Sequence, residues 1–398
     1  MLLRTLVSPS SSAILHHLSH LKNINPQEST LLFTLSCNAS NVEAIITHLR
    51  QTARHTLGCL SAPFPGKRSS NIVCSIAYLR SQDCIPFRSE IPGRDPIQVG
   101  RWHTRAAPIK PSNLPDFSQK ASSWAAFEGT GKAHELPEEL RGRSDFNSVL
   151  YFSDNAPEGL IRSLSQPDFS PKQFGLIASS TPFITGHPYT LFYGDNVCAS
   201  GAVGVALKTP TAEPTIAYHG LVPLSSPMRV TKSEGNLIYE LDHSNPAQLL
   251  IDAIAKSDNQ IRQKDESFFM ADLAAEAPYI GKVYRIMAGG PSRGTLALEG
   301  EDAPEAGRTV QFFLQNPEGP KLALDSMPSA PAQPENAFTF LCSPDAHEIT
   351  PRENAEEETD CEVIDGSFVT ASENGFICSK WNSNSKYTIP GSLATLSL

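Results

Sequence analysis

Three consecutive hydroxyls, Ser179, Ser180 and Thr181, close the apolar run "GLIASSTPF", and Ser61 closes a similar run, "LGCLSAPF". Polar groups at the carboxyl ends of strands are where open α/β sheets hold ligands, so these four are candidate binding residues. Nucleophilic catalysis would require a strained Gly-x-Ser-x-Gly elbow, or a serine or thiol with an assignable base and orienting acid. The sequence has no such elbow, and no base can be assigned beside any serine or cysteine. The expected chemistry is binding rather than catalysis, and no catalytic residue is named.

Metal and cofactor signals are similarly thin. His16 and His20 stand four apart on a helical pattern, as two zinc ligands could, but no third ligand is near, and solvent-facing histidines are expected. The eight cysteines include no Cys-x-x-Cys pair, and most sit in apolar, strand-like runs. That usage describes reduced core thiols of an intracellular protein, not a disulfide frame or a metal centre. The run "GGPSRGT" (289–295) offers backbone amides and Arg293 to an anion. It lacks the lysine and following helix of a phosphate loop, so a hairpin turn is expected. No metal and no cofactor is called for.

The elements that must position these residues repeat. From Ser29 and again from Asn147 the chain reads apolar strand, polar turn, amphipathic helix, glycine (Gly58, Gly175), apolar strand, then Pro-Phe (Pro63-Phe64, Pro182-Phe183). Each is a βαβ-type unit of about 35 residues. Further strands follow each copy, including "SNIVCSIAYL", "DPIQVGRWHT" and "SGAVGVAL". In the last, Gly201 and Gly204 mark either a close backbone approach or the lining of a ligand pocket. The run "RVTKSEGNLIYELDHSNPAQLL" (229–250) predicts a hairpin turning at 233–236, then a helix capped by Asn245 with Pro246 at its first position.

Bulk properties bound the rest. At 398 residues the chain exceeds one ordinary core. Its net charge of -10 argues against nucleic-acid binding, and no apolar run approaches the roughly 20 residues of a membrane span. The first 28 residues are expected to form a helix, although their Arg4, Lys22 and serines, with no acid before Glu28, also fit a transit signal. A cytoplasmic or nuclear location is preferred to a mitochondrial one. Residues 103–145, 325–336 and 351–362 are rich in Pro, Ser or acid and predict long connections.

The blocks "GLIASSTPF", "LFYGDNVCASGAVGVAL" and "VTKSEGNLIYELD" followed by "PA" resemble the FIST domain. The runs "AGRTVQFFLQNP", "AFTFLCSPDAHEI" and "GSFVTASENGFI" are similar, in order, to its C-terminal part. The resemblance adds Cys342 and Glu373 to the candidate ligand-binding residues, with two departures. Cys342-Ser343-Pro344 replaces a Cys-x-Arg-Gly type run, and Ser372-Glu373 replaces Gly-Glu. FIST domains act as sensory modules proposed to bind small ligands such as amino acids. In eukaryotic F-box proteins they recognise targets of a cullin-type ubiquitin ligase. Here "ELPEELRGR" starts as an F-box can, but Gly142 and Ser144 interrupt it.

The expectation is therefore an α/β protein. A layered, mixed-sheet domain of two related βαβ-type halves (29–243) follows the N-terminal helix (1–28), and an α+β domain (244–398) completes the chain. The protein is expected to recognise a protein partner or a ligand without catalysis, in ubiquitin-linked regulation or as an amino-acid-like sensor. Ser61, Ser179, Ser180, Thr181, Gly201, Gly204, Cys342 and Glu373 are the candidate contacts.

Overall fold

The structure is a computed structural model that describes the chain except residues 22–23, 66–68, 92–135, 167–168, 258–266, 274–279, 291–293, 300–301, 316–335, 344–359 and 381–382. The fold is mixed α/β, dominated by sheets. The first repeat runs β1 (Leu2–Ser8), α1 (Ser11–Ser19), β2 (Ser29–Ser36), α2 (Val42–Gln51), β3 (His55–Ser61) and β4 (Ile72–Arg80). The second runs β5 (Cys84–Ser89), β6 (Ser148–Ser153), α3 (Glu158–Leu164), β7 (Lys172–Ile177), a hairpin of β8 (Leu191–Tyr193) and β9 (Asn196–Cys198), and β10 (Ala202–Leu207).

In each repeat the two core strands are parallel, which requires a crossover, and α2 or α3 supplies it. The return strand, β4 or β10, lies antiparallel beside the first core strand, and β1 or β5 pairs beyond it. The correspondence reaches single residues. Phe33 on β2 is the register partner of Gly58 on β3, as Tyr151 on β6 is of Gly175 on β7. A Cβ on either glycine would fall 2.5 or 2.6 Å from the facing ring, so the predicted glycines are the spaces those rings occupy.

A third copy, which the sequence does not announce, completes the set. The chain continues with β11 (Thr215–Tyr218) and then β12 (Leu221–Pro223), β13 (Met228–Glu234), β14 (Leu237–Leu241), α4 (Pro246–Lys256), β15 (Phe268–Leu273), β16 (Ile280–Gly290), β17 (Thr295–Leu298) and β18 (Thr309–Gln315). It ends with β19 (Ala337–Cys342), β20 (Glu362–Asp365), β21 (Ser367–Ser372), a hairpin of β22 (Phe376–Lys380) and β23 (Ser383–Tyr387), and β24 (Ser392–Ser397). The order β11-β24-β19-β21 repeats β1-β4-β2-β3 and β5-β10-β6-β7, with β19 and β21 again parallel. Strands β12 to β18 are an insertion between the edge strand of this third copy and its core strands.

The repeats exchange hairpins. The second repeat sends β8–β9 to extend the first sheet beside β3, and the third sends β22–β23 to extend the second sheet beside β7. The first repeat has no such hairpin among the described residues, and its Ala62 makes a single antiparallel bridge to Ala371 on β21. Edge groups of Ser367 and Val369 on β21 are met by side chains. Thr5 Oγ1 donates to Ser367 O (2.9 Å) and accepts from Val369 N (2.8 Å), and Ser75 Oγ donates to Val369 O (2.5 Å). A sheet edge this deeply buried would otherwise leave backbone groups unpaired at about 1–3 kcal/mol each.

The inner faces of all three sheets share one core, where Phe174 stacks on Phe340 with ring centroids 4.3 Å apart. Helices α1 and α2 cover the outer face of the first sheet, and α3 covers that of the second. The insertion forms its own closed antiparallel sheet, because β18 pairs with β13 on one side and β15 on the other. The helix α4 packs against its interior residues.

Several expectations change. Residues 1–28 hold strand β1 as well as helix α1. The strand is buried along nearly its whole length, so it lacks the alternation that signals a half-exposed strand. The predicted hairpin 229–241 and its Asn245 cap are present, the cap accepting from Ala247 N and Gln248 N. It belongs to the wall of the inserted barrel. Every one of the four sheets contains strands from both sides of residue 243, so 29–243 and 244–398 are interleaved by hydrogen bonding. The strand expected at "DPIQVGRWHT" and most of the three long connections lie outside the described residues. The F-box-like stretch is one 3₁₀ turn, Glu138–Leu140, followed by a turn at 141–142 in which Gly142 has φ +68°.

Candidate functional site

Ser61 closes β3 and Ser372 closes β21, and Ser179 stands two residues past the end of β7. The exchange of hairpins brings these ends together. Ser179 N donates to Leu60 O (3.0 Å), and Ala62 N donates to Ala371 O (2.9 Å). The third link is a carboxylate. Glu373 Oε2 accepts from Ser179 Oγ at 2.8 Å and its Oε1 from Ser180 N at 2.7 Å. Asn374 Nδ2 donates to Glu373 Oε1 (3.1 Å) and to Ala178 O (3.0 Å). Four of the expected residues, Ser61, Ser179, Ser180 and Glu373, thus lie in one strand-end cluster.

The cluster is electrostatically coupled to two thiols beneath it. Burial first, and then the Glu373 charge, pushes Cys37 up to about 12, and the same two causes raise Cys59. Both oxygens of Glu373 already accept hydrogen bonds from the second repeat or from Asn374, so the carboxylate works as a strap between repeats.

The other expected residues lie in packing positions. Thr181 is buried, and its Oγ1 donates to His187 O (3.0 Å) and bonds Thr190 Oγ1 (2.7 Å). Gly201 has φ +86° and donates its N–H to Asp154 Oδ2 (2.7 Å), and a Cβ there would fall 2.2 Å from Ser89 O. Gly204 lies against Tyr151, where a Cβ would meet Leu150 O at 2.3 Å. Cys342 is fully buried in the central core, in register with Ser372. His16 on α1 and His20 at its C-cap are exposed, and no metal-ligating group of three is present among the described residues. The strands flanking "GGPSRGT" pair as a hairpin, Gly290 with Thr295, while Arg293 lies outside the described residues.

A second feature escaped the sequence. A cleft of about 570 Å³ opens between α3, strand β16 of the barrel and the end of the β22–β23 hairpin. Its cations are Arg162, Lys282, Arg285 and Lys386, and its carboxylates are Glu158, Glu299 and Asp302. Arg285 Nε stands 3.8 Å from Glu299 Oε2, and Lys386 Nζ donates to Asn155 Oδ1 (2.6 Å). A volume of this size falls within the range of small-ligand sites. The single local signal was the Glu158/Arg162 pair one helical turn apart, which is ordinary on an exposed helix. The three walls come from the segments 158–162, 282–285 and 384–389, far apart in sequence, so spacing carried no trace of the cleft.

Comparison with known proteins comes to one positive finding. A family model described as the FIST N domain matches residues 29–244, more than half of the chain. No curated protein matches it. The matched span opens at β2 and closes just after the β13–β14 hairpin. It therefore contains the second repeat complete, the first without β1 and α1, and the first three strands of the insertion.

Proposed function

The chain belongs to the FIST family of signal-transduction sensory domains, and we propose that it recognises a polar ligand without catalysing a reaction. The observation that carries this reading is the charged cleft between α3, β16 and β23, with both signs of charge in its lining. Such a lining selects a ligand bearing ionised groups, amino-acid-like in its chemistry, over an apolar one. The cleft joins two parts of the fold, the second repeat and the barrel, so an occupant can report to both. The buried Cys342 and the strapped Ser179 fit a binding rather than a nucleophilic role. No helix among the described residues is long and apolar enough to cross a membrane.

The test is a thermal-shift panel of free amino acids and small carboxylates on the full chain, repeated with Lys282→Glu. A ligand held by the folded state alone raises the melting temperature with its concentration, and the substitution should abolish the rise. A panel with no shift, or shifts indifferent to Lys282, would sink the reading.

One observation favours a second reading, recognition of a protein in ubiquitin-linked regulation. Phe183 is fully exposed beside Ile184, on a turn held by the Thr181, Thr185 and Thr190 hydroxyls. An exposed aromatic on a pre-ordered turn is the form an interface anchor takes. Co-purification of a cullin-ligase adaptor, lost on Phe183→Ser, would support this reading, and an unchanged yield would remove it.

A further inference from the structure

One wall of the cleft is the continuous run Asn384 to Ile389, and its first four residues lie on β23, the last strand of the second sheet. Its four strand residues at about 3.3 Å each make that part of the wall roughly 13 Å long, so the cleft is a groove with a strand along its side. A terminal strand presents unpaired N–H and C=O groups, which natural folds cover or block because they template a further strand. Here the barrel stands across the groove from the edge without pairing to it: β16 pairs with β15 and β17. Lys386, on the edge strand itself, is drawn away to Asn155.

Charge decides what kind of strand would fit. Cations exceed carboxylates four to three in the lining, on a chain whose net charge is -10. Arg285 is engaged by Glu299. Among the described residues, Arg162 and Lys282 have no carboxylate in ion-pair contact, and Lys282 Nζ lies 4.9 Å from the Tyr284 ring centroid. We propose that the groove binds an extended peptide segment with acidic side chains, which adds as a strand to the edge of β23 that no strand among the described residues pairs, and sets its carboxylates on Arg162 and Lys282. Main-chain hydrogen bonds to the edge supply affinity, and alternate side chains facing α3 and β16 supply selectivity. This inference rests on the reading that the cleft is the ligand site, and narrows the ligand to a peptide.

The experiment uses the full chain and a pool of end-blocked octapeptides with Asp or Glu fixed at two alternating positions. Fluorescence anisotropy and amide hydrogen exchange are the readouts. The same peptides N-methylated at alternate residues, and free aspartate, glutamate and succinate, are the comparisons. Binding should weaken about tenfold or more with Arg162→Glu or Lys282→Glu, as expected for reversing a contacting charge. It should be lost on methylation of one alternate set, and exchange should slow at residues 384 to 388. Equal binding of N-methylated peptides, or no peptide binding, overturns the strand addition. If the free acids then bind in a manner sensitive to Lys282→Glu, the cleft stands as a small-molecule site and this inference alone falls. Absence of all binding, or protection confined to other strands, overturns both. Arg162 is exposed, so its reversal leaves folding intact and the loss interpretable.

Discussion

Phe33 lies across Gly58, its register partner on the neighbouring parallel strand, with the position of a glycine Cβ only 2.5 Å from the ring. Gly58→Ala must therefore displace the ring or bend the strand, and overpacking of this kind costs about 1–3 kcal/mol. Gly175→Ala should behave alike against Tyr151, 2.6 Å away. Urea unfolding of both variants checks this, and a midpoint unchanged in either would show that the ring has room to give.

Glu373 joins the third repeat to the second through Ser179 Oγ and Ser180 N. Hydrogen bonds to a charged group contribute about 1.5–3 kcal/mol. Glu373→Ala should lose an amount in that range, and Glu373→Gln about half, since the amide oxygen still accepts one bond. Hydrogen exchange at Ser180 should quicken in both, and unaltered exchange would show that the strap does not order the loop.

Arg308 and Asp272 pair unequally. Nε of Arg308 lies 3.1 and 3.2 Å from the two carboxylate oxygens, and the Arg308 side chain is 54% exposed against 12% for Asp272. Removing Asp272 leaves a cation that water can reach, whereas removing Arg308 leaves a mostly buried carboxylate alone. Arg308→Ala should cost about 2 kcal/mol or more and Asp272→Ala less. Thermal unfolding of the two variants would reverse the argument if the order were inverted.

Burial pushes Cys37, Cys74 and Cys378 up to about 12 and raises Cys59. A raised folded-state pKa on an acid means that the native state keeps protons the unfolded chain releases. The stabilisation is complete below the unfolded value near 9 and is lost as pH rises from there towards 12. Each such thiol should remove roughly 1.4 kcal/mol per pH unit across that window. Denaturant midpoints measured under reductant from pH 7 to 11 should stay level to about 9 and then fall. Iodoacetamide at pH 8 should leave these four thiols unmodified in the native protein, and their ready alkylation would contradict the burial.

The two βαβ repeats were legible because their signals are local: an apolar run, a capped helix, a glycine and Pro-Phe within about 35 residues. The third copy was not, because a barrel of seven strands separates Tyr218 from Ala337, and no local pattern spans such a gap. The strand-end serines share a neighbourhood, since Ser179 N bonds Leu60 O beside Ser61 and Glu373 holds Ser179 and Ser180. Thr181 turns inward, and Gly201 and Gly204 lie against Ser89 and Tyr151. Choosing between these fates needs the neighbouring strands.

By itself the sequence determined the two βαβ-type repeats, with Gly58 and Gly175 at matching places, and the helix that Asn245 caps, because propensity and capping act over a few residues. Tertiary structure alone decided the rest. The same Pro-Phe pair buries Phe64 to 1% exposure against the third sheet and leaves Phe183 in solvent. The charged cleft exists only where α3, β16 and β23 are brought side by side. Burial and electrostatics depend on distance in space, and the exchange of hairpins between repeats sets those distances independently of the order of residues along the chain.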